Sequence, residues 1–135
     1  MECKIYNLNE LKEYKYVVIL SKYKGSILLS RHKKRSTWET QGGHIEKGET
    51  PLEAAKRELF EESGAVKYTI TPVFDYLAGD EKSSANGMVF IADITELADI
   101  PDSEMKEVRT FDKLPDALTY PEITPALFDN AKKFK

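Results

Sequence analysis

The feature that most constrains the fold of this chain is a helix signature within residues 43–65, GHIEKGETPLEAAKRELFEESGA. Thr50 is the predicted N-cap, Pro51 takes the first helical position, and Glu53 follows three residues after the cap. This is a capping box, in which side chains accept hydrogen bonds from amides that a helix start leaves unpaired. Gly64 stands where the chain can leave a helix in the left-handed conformation. We therefore predict one helix that begins at Pro51 and ends at Gly64.

This predicted helix carries an apolar stripe with a cluster of acids beside it. The stripe consists of Leu52, Ala55 and Leu59. The acids Glu58, Glu61 and Glu62 fall within one arc of roughly 100°. Like charges on one face repel one another, and clustered carboxylate oxygens suit a hard divalent cation such as Mg²⁺ or Mn²⁺. A solvated acidic helix face is the alternative interpretation.

The spacing of the whole stretch resembles the Nudix box, the signature of hydrolases that act on nucleoside diphosphates linked to a further group. The matching positions are Gly43, Glu49, Arg57, Glu58, Leu59, Glu61, Glu62 and Gly64. The box covers 23 of the 135 residues, and Ala65 departs from it, because the family usually carries a larger aliphatic residue there. The spacing and identities identify the chain as a member of this family.

The rest of the chain is expected to form strands around the helix. We predict strands at residues 14–21, 26–32, 68–78, 87–94 and 108–111, a brief extension at 37–40, and a last helix within 121–133 that begins near Thr124. Residues 22–25 should link two strands as a hairpin, and residues 79–86 should form a polar loop. This pattern resembles the Nudix α/β/α sandwich, an α/β (α+β) fold whose mixed sheet has helices on both faces. We expect residues 1–135 to form a single domain.

Composition limits the functional class. The net charge of −3 argues against a protein that coats DNA or RNA. The lone Cys3 excludes an internal disulfide and fits a reducing compartment. The first 15 residues lack the apolar core of a signal peptide, and no apolar run approaches the roughly 20 residues of a membrane span. We therefore expect a cytoplasmic protein that binds a small-molecule nucleotide and no membrane. The oligomeric state does not follow from the sequence.

The resemblance implies a role for each acid of the box in hydrolysing a pyrophosphate link. Glu61 and Glu62 are expected to be the primary ligands of Mg²⁺ or Mn²⁺. Glu58 is expected to bind metal or to orient the attacking water. The backbone carbonyl at the start of the box, which corresponds to Gly43, is expected to be a further ligand.

Arg57 is expected to support the box. The resemblance implies an ion pair with Glu49 that fixes the box loop, the polar segment that follows the glycine pair and ends in Glu49. Arg57 also lies four residues from both Glu53 and Glu61, so it can bridge them on the helix surface. An ordinary surface salt bridge is the alternative.

The sequence leaves several acids as candidates for the general base. Many family members place it in a later loop, and here the acidic segment 99–107, DIPDSEMKE, precedes a predicted strand. Glu104 is the first candidate in this segment, Glu107 the second, and Asp102 is possible; a hydrophilic surface loop is the alternative. Glu58 also remains a candidate, because a base needs only reach and a suitable pKa.

Each predicted substrate contact outside the box involves a single residue. Arg31 opens a basic run at residues 31–35 that can attract a triphosphate or form a solvated turn. Trp38 can stack on a base, although a large aromatic residue on a strand is more often part of the core. Gln41 replaces the proline usual in the family, which can alter the loop's rigidity or let an amide contact the substrate. Glu122, before the last helix, can accept a hydrogen bond from a base edge.

Marks of other Nudix groups are missing. Residues 78–81 read AGDE where ADP-ribose hydrolases carry a proline, and Lys82 and Ser83 stand near the tyrosine position of dinucleoside polyphosphate hydrolases. No coenzyme A signature flanks the box. By subtraction the chain resembles the MutT group, which hydrolyses nucleoside triphosphates, including 8-oxo-dGTP, to monophosphate and pyrophosphate. The alternatives are hydrolysis of a nucleotide sugar, a dinucleotide or an RNA 5′ end, and a non-catalytic module that senses a nucleotide.

Overall fold

A computed structural model describes residues 2–80 and 82–134 of the chain. Its elements follow in the order β1 (Glu2–Asn7), β2 (Tyr16–Tyr23), β3 (Ser26–His32), β4 (Gln41–His44), α1 (Pro51–Ser63), β5 (Ala65–Gly79), β6 (Ser84–Leu97), β7 (Met105–Phe111) and α2 (Thr124–Ala131). Neither helix is long and apolar enough to cross a membrane, which holds for the described ranges.

The seven strands form one mixed sheet in the order β1-β5-β6-β2-β3-β7, with β4 attached to β2. The pairing of β2 with β6 is parallel and the other pairings are antiparallel. One edge of β2 is shared between two strands, since its residues 16–19 pair with β4 and its residues 21–23 pair with β3. The sheet therefore forks at this edge, and α1 follows directly after the β4 branch.

The two helices cover opposite faces of the sheet. On β2, Val17 and Ile19 pack with Leu59 of α1, whereas Leu20 on the other face packs with Leu127 of α2. This alternation follows from the two-residue period of a strand, which sends successive side chains to opposite faces. The prediction of a mixed sheet with a helix on each face is confirmed.

The local signals of α1 are confirmed as well. The Thr50 hydroxyl accepts a hydrogen bond from the Glu53 amide (3.1 Å), and the Glu53 carboxylate accepts one from the Thr50 amide (2.9 Å). Gly64 ends the helix at φ 79°, where a Cβ would also overlap the carbonyl oxygen of Ala98. Both features make residue 64 a position for glycine.

The apolar stripe predicted for α1 was wrong at one position. Its buried residues are Ala54, Ala55, Leu59 and Ser63, and Leu52 is 40% exposed. Leu52 shares the arc of Leu59, but it stands in the first helical turn beside the exposed loop 46–48. The helix has not yet reached the sheet there, so angular position alone does not bury a side chain.

Several strands extend further than predicted, and β1 was not predicted at all. The expected polar loop at residues 79–86 is shorter than predicted, because β5 and β6 continue their antiparallel pairing to Gly79 and Ser84. β4 incorporates the glycine pair, whereas residues 37–40 make only isolated bridges at Trp38 and Glu39. Pairing with a neighbouring strand satisfies the backbone of a polar segment, and a one-dimensional pattern does not reveal that neighbour.

We expect Leu59→Ala to lower the free energy of unfolding by about 2–4 kcal/mol, because it leaves a cavity in the core between α1 and the sheet. Leu52→Ala is the matched control on the same helix and should cost less than about 1 kcal/mol, since Leu52 is exposed. Urea unfolding measures both values. Equal losses would contradict the observed orientation of α1.

Candidate active site

Two acids of α1 lie directly against the backbone of β4. The Gly42 amide donates a hydrogen bond to Glu62 Oε1 (2.8 Å). A Cβ on Gly43 would lie 2.7 Å from Glu58 Oε2, and one on Gly42 would overlap the Val17 carbonyl oxygen. Space therefore requires glycine at position 42, and at position 43 a side chain would displace the Glu58 carboxylate.

Arg57 connects the acids of the box to one another and to the preceding loop. Its Nε and Nη2 atoms bind the two carboxylate oxygens of Glu49 at 2.7 and 3.0 Å, a bidentate pair. Its Nη1 atom binds Glu58 Oε1 at 2.6 Å and Glu61 Oε1 at 2.9 Å. Nη2 also donates to the carbonyl oxygen of His44 (3.1 Å). One guanidinium thus fixes two acids and the box loop.

The ion pair between Arg57 and Glu49 has the arrangement that the family resemblance implied. The hydrogen bonds from Arg57 lower the pKa of Glu49 to about 2, and the same contact raises the pKa of the arginine. The bridge to Glu61 also forms. Glu53 does not serve Arg57 as the helical spacing suggested, because its carboxylate accepts a hydrogen bond from the Thr50 amide.

The two buried acids of the box share a proton. Burial raises the pKa of Glu62 to about 9; the hydrogen bond from the Gly42 amide opposes this shift, and the charges of Glu58 and Glu39 reinforce it. Burial also raises the pKa of Glu58, partly offset by Arg57. A hydrogen bond between the two carboxyls leaves the proton on Glu62. This pair carries less charge at neutral pH than its composition suggests.

The oxygen donors of the box have the chemistry that a hard divalent cation requires. Carboxylate oxygens and a glycine carbonyl are the ligands that Mg²⁺ prefers. Within residues 2–80 and 82–134, no group of three or more His, Cys, Asp or Glu side chains is arranged to hold a metal by itself.

A cleft of about 390 Å³ opens beside the glycine pair, between the sheet and the start of α2. Its polar and aromatic lining includes Tyr16, Glu39, His44, Tyr76 and Tyr120. The rings of Tyr16 and His44 contact each other with their centroids 4.4 Å apart. No lysine or arginine belongs to the part of the lining that the structure describes. The cleft therefore offers aromatic surface and hydrogen-bonding groups.

Three predicted substrate contacts are corrected by burial or by existing partners. Gln41 is fully buried, and its amide joins Ser21 Oγ (2.7 Å) to Ser30 Oγ (2.9 Å) inside the fork of the sheet. Trp38 is 7% exposed and packs edge-on against Phe111, so the core interpretation of this residue holds.

Arg31 is the third of these corrections. It is bound to Glu107 Oε1 through Nε (3.0 Å) and Nη2 (2.6 Å). Three other residues of the basic run, His32, Lys33 and Arg35, also lie within 4 Å of an acid. Most of the segment therefore forms ion pairs, and the charge of Arg31 is already paired.

The candidates for a base outside the box lie along the edge formed by β3 and β7. Glu104 is 84% exposed and lies 3.4 Å from His32 Nε2. Asp102 lies 3.6 Å from Lys33 Nζ. Glu107 belongs to β7 and not to a loop, and its hydrogen bond from Arg31 lowers its pKa. None of the three lines the cleft within its described part.

The other residues outside the box lie around the cleft itself. Glu122 is exposed in the turn between Tyr120 and Ile123, which both line the cleft. Sequence reasoning missed Glu39, a buried carboxylate in the cleft wall. The available signal was an acid placed between the basic run and the glycine pair, but nothing local marks it as buried.

The raised pKa of Glu62 makes stability depend on pH. Between its ordinary value of 4.5 and about 9, the folded metal-free protein holds a proton on Glu62 that the unfolded chain has lost. The free energy of unfolding therefore falls as pH rises through this window. Glu62→Gln keeps an acceptor for the Gly42 amide and has no proton to lose. We expect the variant in EDTA to be more stable than the wild type by about 1–3 kcal/mol near pH 8.

Thermal denaturation at several pH values measures this difference, which should shrink towards pH 5. Glu96→Gln is the control, because Glu96 is an exposed acid 3.6 Å from Lys67 and should follow the wild type. A constant difference between Glu62→Gln and wild type across the pH range would contradict the shared proton.

Comparison with known proteins places these features in a family. The chain matches the NUDIX domain over residues 13–129. No curated protein sequence matches it. Among solved structures it is similar to the Bacillus subtilis pyrophosphohydrolase BsRppH, solved as a point mutant, with TM-score 0.81 and 24% identity over 97% of this chain and 90% of that one.

Two further structures show how widely the fold is shared. A NUDIX family hydrolase from Clostridium perfringens has TM-score 0.60 and 25% identity over 75% of this chain and 82% of that one. The NUDIX domain of Shewanella oneidensis NrtR, complexed with ADP ribose, has TM-score 0.70 and 16% identity over 95% and 92%. At these identities the structures report the fold, and the domain match over most of the sequence decides the family. The chain belongs to the Nudix family and is a hydrolase of pyrophosphate bonds.

Proposed function

We propose that this Nudix hydrolase is a Mg²⁺-dependent nucleoside triphosphate pyrophosphohydrolase that releases a monophosphate and pyrophosphate. Its substrates would include oxidised nucleotides such as 8-oxo-dGTP. The observation that carries the proposal is the complete box beside an aromatic cleft. Arg57 holds Glu58 and Glu61, and the glycine pair that contacts Glu58 and Glu62 also lines the cleft.

The metal-holding group in this proposal consists of Glu61, Glu62 and the Gly43 carbonyl, and Glu58 either joins it or acts on the attacking water. When bound, Mg²⁺ or Mn²⁺ would neutralise phosphate charge and lower the pKa of the attacking water. The chain's own part is positioning. Arg57 orients the carboxylates of Glu58 and Glu61, and Glu49 keeps Arg57 attached to the box loop. Glu62 is fixed by the Gly42 amide.

Glu58 is the proposed general base, with Glu104 as the alternative. The Glu58 carboxylate lies against Gly43, which lines the cleft, and burial raises the pKa of Glu58. Glu104 is exposed and paired with His32 at the sheet edge. Its use as a base requires the loop before β7 to move.

A second candidate is the same chemistry on another nucleoside diphosphate derivative. The observation that favours it is the range of similar folds. These include a protein named UDP-X diphosphatase (TM-score 0.67, 17% identity) and the NUDIX domain solved with ADP ribose. The cleft carries no group that requires a third phosphate. A nucleotide sugar, a dinucleotide or an RNA 5′ end therefore belongs in the substrate panel.

The test of the proposed function is a panel assay with Mg²⁺ that separates nucleotide, phosphate and pyrophosphate products. The panel contains normal and oxidised triphosphates, nucleotide sugars, dinucleotides and 5′-triphosphate RNA. We expect one triphosphate to give monophosphate plus pyrophosphate. Glu61→Gln should lower its turnover at least about 100-fold, because an interaction with the transition-state charge is lost. Undiminished turnover in this folded variant would contradict the metal role, and preference for a sugar or dinucleotide would select the second candidate.

The base is tested by comparing kcat for Glu58→Gln and Glu104→Gln on the preferred substrate. We expect Glu58→Gln to lower kcat by about 10²–10⁴-fold, the usual contribution of general base catalysis, and Glu104→Gln to have the smaller effect. The pH profile separates the roles further, because loss of the base removes the acidic limb of kcat. The reverse order of losses would assign the base to Glu104.

A further inference from the structure

Glu39 is a buried carboxylate in the cleft wall that the proposed mechanism does not use. The residue is 7% exposed, yet it belongs to the lining of the cleft. Its Oε2 atom accepts hydrogen bonds from Thr119 Oγ1 (2.8 Å) and Arg35 Nη1 (3.1 Å). Its Oε1 atom has only a long contact of 3.4 Å to the same arginine nitrogen. One oxygen is thus anchored, and the other retains most of its capacity to accept.

Glu39 is connected through Ser30 to the helix that carries the box acids. Its backbone exchanges two hydrogen bonds with Ser30, at 2.8 and 2.9 Å. The Ser30 hydroxyl in turn donates to the carbonyl oxygen of Glu62 (2.8 Å). Ser30 therefore connects Glu39 to the C-terminal end of α1. On the other side, Thr119 leads directly into Tyr120 of the opposite cleft wall.

The charge of Glu39 restricts what it can contact. A fixed, buried carboxylate repels phosphate and must meet hydrogen-bond donors. In a nucleotide whose phosphates lie at the box, the first donors beyond the phosphates are the sugar hydroxyls. The base lies further away, and aromatic side chains such as Tyr16 and Tyr120 offer it a surface.

We propose that Glu39 Oε1 accepts a hydrogen bond from a sugar hydroxyl of the bound nucleotide and so makes the enzyme selective for a sugar that carries this hydroxyl. The proposal rests on the proposed nucleotide substrate. Arg35 and Thr119 act as positioning residues, because they hold the carboxylate in one orientation before substrate arrives. A preorganised charged acceptor discriminates strongly, since a substrate without the hydroxyl leaves it unpaired in the closed site.

The experiment compares four nucleotides of one base, with ribose, 2′-deoxyribose, 3′-deoxyribose and 2′,3′-dideoxyribose. For the wild type we expect kcat/KM to fall by about 10- to 100-fold from the ribose to the dideoxy compound, the range set by hydrogen bonds to charged groups. The two mono-deoxy compounds identify the hydroxyl. Glu39→Gln should reduce the discrimination to about threefold or less, because the charged acceptor is gone.

Two further variants show whether a change in discrimination could come from a folding defect alone. Glu39→Asp keeps the charge but withdraws the carboxylate by one methylene, and it should also lose discrimination. Glu96→Gln removes an exposed acid paired with Lys67 and should keep the wild-type ratio. Melting temperatures establish that each variant is folded. Unchanged discrimination in folded Glu39→Gln, or equal kcat/KM for ribose and dideoxy compounds in the wild type, would overturn the proposal.

Binding measurements separate this proposal from the proposed reaction. Calorimetry of the ribo- and dideoxynucleoside monophosphates reports sugar selectivity without turnover. Selective binding that depends on Glu39 in a protein inactive on triphosphates would support the sugar contact and reject the triphosphate reaction. Hydrolysis of triphosphates with equal binding of both sugars would do the opposite. If Glu39→Gln raised the Mg²⁺ concentration needed for activity without changing sugar selectivity, Glu39 would act on the metal, and the proposal would fail.

Discussion

The active site of this protein depends on one arginine that makes a crowded group of carboxylates possible. Glu58, Glu61 and Glu62 share one face of α1, and such like charges destabilise a helix even when exposed. Arg57 binds the first two, and its bidentate contact with Glu49 ties the same guanidinium to the box loop. Glu62 lies outside its reach and remains protonated in the absence of a cation. The arginine thus offsets part of the negative charge and leaves a remainder that suits a divalent ion.

The second constraint is steric, and it comes from the fork in the sheet. β3 and β4 share one edge of β2, so backbone groups inside the fork need partners that no strand supplies. Gln41 fills part of this role, because its side-chain amide donates to the Leu28 carbonyl, and it also bonds the hydroxyls of Ser21 and Ser30. The glycine that follows lets β4 lie close enough for its amide to reach Glu62. A residue expected to contact substrate therefore stabilises the strand that contacts the acids of the box.

Ser30 joins the fork to the cleft. It bonds the backbone of Glu39, the amide of Gln41 and the last turn of α1. The parallel contact of Trp38 with Leu118 then attaches the segment before α2 to the same region. The two walls of the cleft are thus hydrogen-bonded to one short stretch, residues 37–43. Hydrogen bonds to this stretch therefore hold the two walls of the cleft together.

Sequence alone determined the parts of this protein that depend on contacts three or four residues apart. The capping box, the glycine exit of α1, the shared arc of acids and the contact of Arg57 with Glu61 all follow from helical geometry. Tertiary structure decided which polar and aromatic residues are buried. Trp38, Glu39 and Gln41 lie within four residues of one another in sequence. Each role depends on a partner from a distant segment, which is Phe111 for Trp38, Thr119 for Glu39 and Ser21 for Gln41. Pairing partners also decided the extent of β5 and β6 and the presence of β1, because a strand is stabilised by its neighbour and not by its own sequence.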